Sequence, residues 1–367
     1  MTFEERLTEI CRRLDERGLD RIVAVHDGAH FIEKPDPVLV LSGFKSLGPC
    51  AVVLERGGDI TLVVTPSWDA ARAAQGRPGL RIVAVDDVAD GLAGVLDGPG
   101  ASGSVGLAAA PFGIAQRVGQ LISDAPPADE IVFHAARRKT DTEIANGREA
   151  VRIAELGYHH LLDIARPGMT EDALAVELRW HSKSLGAEDN FVLLCAGPHN
   201  KAVAPSHGRR LQAGDIIVVE LTPSYRGQLV QICRTITVGA ASETLRQKYA
   251  LVVEAMHAGI AAAQPGSPMA EVCRAINDVL EAQGYGEFCH PPHIRRRGHG
   301  LGFGSIEPGD VALDNQTMLE PDMLFMIHPN QYLPETGYLL CGEPVLMTAQ
   351  GAVPLTAQTA TLAEIKL

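Results

Sequence analysis

The residues able to do chemistry lie in the second half of this chain. The run Gly214–Gly239, GDIIVVELTPSYRGQLVQICRTITVG, reads as two apolar strands joined through TPSYRGQ as a hairpin. Side chains alternate along a strand, so Gln231, Cys233 and Thr235 share one face, while Ile232 and Arg234 point the other way. Glu220 ends the first strand, and a carboxylate in IIVVEL needs either a partner or a purpose. An ion pair with Arg226 or Arg234 is one reading; a place in a reactive site is the other. His299 stands in GHGLG, where glycines let backbone approach closely. His328 ends the apolar run LFMIHP, and His207 lies in the loop PSHGRR. Any one of these histidines alone reads as a hydrogen-bonded structural residue. Together with Glu307 and Glu343 they suggest proton-transfer machinery, because imidazole gains and loses protons near neutral pH. Cys233 is a nucleophile only where a neighbouring imidazolium stabilises its thiolate, and otherwise a small buried side chain.

Two α/β segments are needed to carry these residues. Residues 1–136 alternate helical and strand patterns. Glu4–Arg17 is amphipathic; Arg21–Val25, Val38–Leu41, Ala51–Leu54, Ile60–Val64 and Ile82–Val85 are short β-rich runs; Val88–Leu96 and Ala115–Leu121 read as helices. The Gly-rich stretch Gly98–Gly103 has neither the lysine nor the glycine order of a phosphate loop and reads as a turn. A composition shift at DAPPA (Asp124–Ala128) and a polar stretch at Arg137–Asp141 separate this domain from a second, residues 137–367. There Thr140 opens a helix in which Val151, Ala154, Tyr158, Leu161 and Ala165 form a buried stripe. Pro167–Gly168 and Pro265–Gly266 each separate two helices, and Gly186 and Gly284 follow at the same 98-residue offset. A duplicated helix–helix–strand unit about a pseudo-twofold axis follows, with a site where the halves meet.

Bulk composition narrows the function classes. A net charge of −13 opposes nucleic acid or an anionic membrane as partner, and Arg295–Arg297, the compact basic run, reads as a solvated loop or a local anion contact. No apolar run is long enough to span a bilayer. The charged start MTFEERLTEICRRLDERG is unlike a secretory signal, and seven scattered cysteines without CxxC spacing read as reduced thiols, so a cytoplasmic location is expected.

Several segments in one order then carry a resemblance: TEIANGREA, RPGMTE, the His207 loop, GDIIVVEL, CRTITVG, GHGLG, LEPDMLFMIHP and EPVLMT. From about residue 138 onward the chain resembles the pita-bread superfamily (the M24 peptidases) of aminopeptidase P, prolidase, methionine aminopeptidase and creatinase, and more loosely so over the N-terminal domain. The resemblance implies a small N-terminal α/β domain followed by a pita-bread domain, α/β (α+β) overall. Its peptidase members hold two metals with two aspartates, a histidine and two glutamates. Those positions fall here on Glu220, Gln231, His299, His328 and Gly342, with Glu343 one residue along; a second family histidine falls on Ile306, followed by Glu307. Three of the five positions have lost their carboxylate. Two adjacent divalent ions need anionic oxygens to offset their repulsion, so no dinuclear metal and no ordinary aminopeptidase activity are expected.

The resemblance to creatinase places its catalytic histidine on His207. The expected activity is metal-independent cleavage, by hydrolysis or elimination, of a C–N bond of amide or amidine type in a small molecule. His207 is the general base, Glu220 and Glu307 orient substrate or water, His299 and His328 polarise the reacting group, and Cys233 is a further nucleophile candidate. Gln231, Glu343, Phe44 and Lys45 are expected to contact substrate, the last two from SGFKSLG (Ser42–Gly48) reaching a partner's site in a homodimer, as the resemblance implies. No cofactor is expected on this reading. The alternatives are a single Fe, Mn or Zn ion on Glu220, His299 and His328, and a binding module without catalysis.

Overall fold

The computed structural model describes residues 1–77, 79–97, 103–108, 112–122, 124–304 and 307–367. Residues 98–102 of the Gly98–Gly103 stretch and Ile306 lie outside the described residues. The chain divides into two compact units, Met1–Thr140 and Asp141–Leu367, the division falling after residue 140 where 136 was expected.

The first unit runs α1 (Phe3–Glu16), β1 (Arg21–His26), α2 (Pro37–Ser42), β2 (Cys50–Glu55), β3 (Ile60–Val64), α3 (Ala70–Ala74), β4 (Arg81–Ala84), α4 (Val88–Leu96), β5 (Val105–Ala108), α5 (Phe112–Leu121) and α6 (Asp129–Ala136). Its mixed sheet has the order β4-β3-β2-β1-β5. α1 is closed by a capping box between Thr2 and Glu5 and buries Leu7, Ile10 and Leu14 on one face. Val38–Leu41, expected as a strand, is the helix α2. Asp36 caps it by accepting from Leu39 N at 2.9 Å, Pro37 opens it, and Gly43 ends it at φ 69°. Every residue of α2 is buried, so no helical period shows in the sequence. β5 and α6 carry too weak a pattern to have been foreseen.

The second unit begins with α7 (Asp141–Ile164) and α8 (Glu171–Ser184), followed by β6 (Asp189–Gly197), β7 (Ile216–Tyr225), β8 (Gln228–Leu229) and β9 (Ile232–Val238). The second repeat has α9 (Glu243–Ala262), α10 (Met269–Ala282), β10 (Gly298–Gly300), β11 (Leu324–Ile327), β12 (Gln331–Leu333), β13 (Gly337–Leu339), β14 (Glu343–Thr348) and β15 (Gly351–Pro354); β16 (Ala363–Ile365) closes the chain. The internal repeat is visible in backbone detail. Gly168 (φ 88°) and Gly266 (φ 82°) both take the left-handed conformation after the first helix of their pair. Gly168 N donates to Leu211 O at 2.9 Å, and Gly266 N to Leu319 O at 2.8 Å. The stripe Val151, Ala154, Tyr158, Leu161 and Ala165 is buried. From Ala154 onward it packs with Leu174 and Leu178 on Val192, Val219 and Ile236 of the sheet.

β12 and β13 pair as a two-stranded ribbon; β16, β9, β7 and β6 form one larger sheet, and β10, β11, β14 and β15 the other. Their seam is a pair of backbone hydrogen bonds, Cys233 N to Gly342 O at 3.3 Å and Gly342 N to Cys233 O at 3.2 Å. Behind it Arg234 Nη2 meets Glu343 Oε1 at 3.0 Å, both side chains being buried, and Arg234 Nη1 donates to Gly342 O at 2.8 Å. Among the described residues, no helix is long and apolar enough to cross a membrane.

Packing between α9 and α10 is close enough to test. A Cβ at Gly259 would lie 2.7 Å from Ile276 Cγ1, whereas one at Gly94 in α4 meets nothing within 4 Å. In chemical denaturation, Gly259→Leu is expected to lose about 1–3 kcal/mol or more through overpacking, while Gly94→Ala is neutral or gains roughly 0.5–1 kcal/mol from helix propensity. Equal effects of the two would refute this packing.

Candidate functional site

The hairpin expected between Gly214 and Gly239 turns at Arg226 (φ 47°) and Gly227 (φ 81°), two left-handed residues that match the strand twist. Tyr225 pairs with Gln228 across this turn. Further along, Glu220 stands directly opposite Cys233. Gln231, one alternation away, donates from Nε2 to Glu220 Oε2 at 3.1 Å. Its Oε1 accepts from His299 Nε2 at 3.0 Å. The structure thus brings Glu220, Gln231, Cys233 and His299 into one buried network. His328 adjoins it, its ring 5.3 Å from that of His299 and edge-on to it.

The second ring nitrogen of His299, Nδ1, faces Gly300 O at 2.9 Å. Both nitrogens therefore face oxygen atoms. The Glu220 carboxylate lies one amide away. Burial, followed by the neighbouring His299, holds the His328 ring well below its usual pKa, so it is neutral at pH 7. Its Nδ1 is buried without a hydrogen-bond partner.

The other expected residues make different contacts. His207 is held by Glu171, whose Oε2 lies 2.8 Å from Nδ1. The same carboxylate accepts from His207 N at 3.1 Å and, through Oε1, from Ala196 N at 2.7 Å. Glu171 is fully buried, while the His207 side chain is 64% exposed. This fixes the tautomer with Nδ1 protonated and leaves the Nε2 lone pair as the basic atom. Glu307 is half-buried.

Three expectations need correction. Arg234 serves Glu343 at the seam rather than Glu220. Glu343, expected to bind substrate, also accepts from Thr356 Oγ1 at 2.5 Å and Ala360 N at 2.6 Å, so both its oxygens are committed to structure. Cys233 is fully buried, and both burial and the Glu220 charge push its thiol pKa well up, against nucleophilic use. Its Sγ donates to Glu220 Oε1 at 3.7 Å. In the first unit, Phe44 is buried with the Arg72 guanidinium 4.3 Å over its ring, and the Lys45 carbonyl accepts from Arg72 Nη2 at 2.9 Å.

Sequence reasoning missed Asn330 and Glu171. Asn330 donates to Glu220 Oε1 at 3.4 Å and accepts from Cys341 N at 3.1 Å. It lies two residues beyond His328, a spacing that could have flagged it. Glu171 reads in sequence as a favourable charge in the first turn of α8, which conceals its grip on His207.

The model of metallopeptidase family M24 matches residues 145–350. The chain belongs to this family. It is 26% identical over 360 residues to a Xaa-Pro dipeptidase of Pyrococcus furiosus, covering 96% of this chain and 98% of the relative. It is 30% identical over 242 residues to the uncharacterized peptidase YqhT of Bacillus subtilis, covering 64% and 67%. A solved Xaa-Pro dipeptidase from Bacillus anthracis superposes with a TM-score of 0.85 at 23% identity, over 99% of this chain and 100% of that one. This M24 chain thus has the pita-bread fold with its N-terminal domain, and with family membership comes the coarse activity of a C–N bond hydrolase.

The M24 metal pair does not fit the side chains found here. Gln231 is a neutral amide already spent on Glu220 and His299, and Gly342 offers no donor. A Cβ at residue 342 would lie 2.5 Å from His328 Cβ and 2.6 Å from Met326 Cε. A side chain at 342 is therefore blocked by the Cα and Cβ of residue 328, whatever side chain that residue carries. Gly342→Ala is expected to destabilise the second unit by about 1–3 kcal/mol, read by denaturant unfolding; an unchanged midpoint would remove the steric coupling. The neutral His328 gives a second outcome. Its folded pKa lies below the ordinary 6.5, so the folded state binds fewer protons and the contribution is present above pH 6.5 and lost as pH falls. Stability should fall below pH 6.5 by at most about 1.4 kcal/mol per pH unit from this group, and His328→Asn should flatten that slope.

Proposed function

We propose that this M24 member cleaves a C–N bond of amide or amidine type in a small molecule, by hydrolysis or elimination, without a dinuclear metal centre. The observation that carries the reading is the hydrogen-bonded chain His299–Gln231–Glu220, in which residues at former ligand positions bind one another. His207, oriented by Glu171, takes a proton through Nε2 from water as its oxygen attacks the reacting carbon, then returns it to the departing nitrogen. His299 polarises the reacting group, and the unpartnered Nδ1 of neutral His328 accepts a hydrogen bond from substrate. Glu220 and Glu307 orient substrate or water, and Asn330 fixes Glu220.

The protein acts as a cytoplasmic homodimer in this reading, with Ser42–Gly48 of one protomer near the other's site. Phe44 is turned inward under Arg72, which leaves Lys45 and the exposed Leu47 as the contacting residues.

A second reading, one Fe, Mn or Zn ion on Glu220, His299 and His328, is favoured by the two imidazoles lying side by side. It requires Gln231 to leave its place between Glu220 and His299. Activity on a panel of small amides, amidines and Xaa-Pro dipeptides decides. His207→Ala should lower turnover by roughly 10²–10⁴-fold with an unchanged circular dichroism spectrum, and turnover by the native protein should survive exhaustive chelation. An active His207→Ala protein ends the assignment of the base. Loss of turnover on chelation, restored by one metal equivalent, establishes the second reading, and no turnover on any substrate favours a binding module.

A further inference from the structure

His26, His30 and Asp36 gather in the first unit, at the end of β1 and the start of α2. Among the described residues they form the one group of three His, Cys, Asp or Glu side chains whose ligand atoms all lie within 4.8 Å of one another. None belongs to the site above, and nothing in the sequence pattern announced them.

Hydrogen bonds fix how the three side chains of this cluster face one another. His30 Nε2 lies 2.9 Å from Ser46 O, which can only accept, so that nitrogen carries the proton. Nδ1 faces Asp36 Oδ2 at 3.1 Å, as a donor in an ion pair when the ring is doubly protonated and as a lone pair that an ion can take when it is neutral. His26 Nδ1 lies 3.8 Å from the same oxygen with its lone pair accepting from Gly28 N at 3.1 Å, and its buried Nε2 has no hydrogen-bond partner. Asp36 Oδ1 is occupied in capping α2, which aims Oδ2 at the imidazoles. Lys34, the nearby cation, is engaged by Asp27. Two imidazole nitrogens and a carboxylate oxygen thus lie within 4.8 Å of one another, the two rings being stacked.

We propose that His26, His30 and Asp36 form a binding site for one divalent transition-metal ion of the zinc class. Two imidazoles and a carboxylate are a borderline donor set suited to such an ion, with water as fourth ligand. Bonds of about 2.0–2.1 Å in a tetrahedron place ligand atoms roughly 3.3–3.4 Å apart; the two His–Asp separations are 3.1 and 3.8 Å, and all three ligand atoms lie within 4.8 Å of one another. The Ser46 carbonyl on His30 Nε2 is the outer-shell contact that fixes a ligating tautomer. His26 and Asp36 are almost fully buried, while His30 is 20% exposed and gives the ion its entry. An ion there replaces the Gly28 N–H on His26 and ties the 27–36 loop to α2, which leads into Ser42–Gly48. The inference is independent of the chemistry assigned to the second unit.

The full-length protein, stripped with chelator and dialysed, is titrated with Zn²⁺ by calorimetry and with Co²⁺ by visible absorption. One equivalent per chain is expected, with the d–d bands of a four-coordinate ion and two imidazoles in the X-ray absorption shell. His30→Ala should weaken affinity by more than the roughly 10–100-fold cost of losing an outer-shell partner, whereas His299→Ala should keep it. No uptake, which leaves only a proton shared by His30 and Asp36, overturns the site; so does uptake kept in His30→Ala and lost in His299→Ala. Should His30→Ala fail to fold, the imidazole count in the native protein decides, and fewer than two overturns the proposal.

Discussion

The second unit depends on a buried ion pair at its seam. Arg234 reaches across from β9 to Glu343 at the start of β14, and its other arm holds the carbonyl of Gly342. Two charges buried together cost desolvation, which only full satisfaction offsets. Here Glu343 also receives Thr356 and Ala360, so the carboxylate is met on every side. Removing one partner would strand the other at a cost of about 3–5 kcal/mol. Because Cys233 and Gly342 share backbone hydrogen bonds at the same point, the pair fixes the register of one sheet against the other. That register sets Glu220 and Gln231 opposite His299 and His328.

Given this seam, the network follows from alternation along β9. Arg234 looks toward Glu343, while Gln231 and Cys233 look toward Glu220. An amide at 231 joins an imidazole and a carboxylate with its two ends, a task a second carboxylate could not perform without an ion between. The side chains of the site thus bind one another through hydrogen bonds. His328, pressed neutral by burial, and His207, tethered by Glu171, are left with nitrogen lone pairs to offer.

Much of this was legible in sequence because it is periodic or punctuated. The paired Pro-Gly breaks, the stripe from Val151 to Ala165 and the alternation through Gln231, Cys233 and Thr235 all reflect local geometry. Val38–Leu41 misled because burial on every side erases helical period, while the Asp36 cap and Gly43 stop that define it are short signals. Glu343 was ambiguous for a different reason. A carboxylate beside a lost ligand position looks like a substitute ligand, and only three-dimensional proximity to Arg234, Thr356 and Ala360 reveals it as structural. The grip of Glu171 on His207 spans 36 positions and has no periodic signature.

The crowding at Gly342 limits which sequence changes this corner of the molecule can accept. A Cβ there would meet the Cα and Cβ of residue 328; every residue carries the first atom and every residue but glycine the second, so exchanging the imidazole for another side chain opens no room at 342. A donor at 342 therefore requires the two backbone segments to draw apart, a change of sheet geometry that no single substitution supplies.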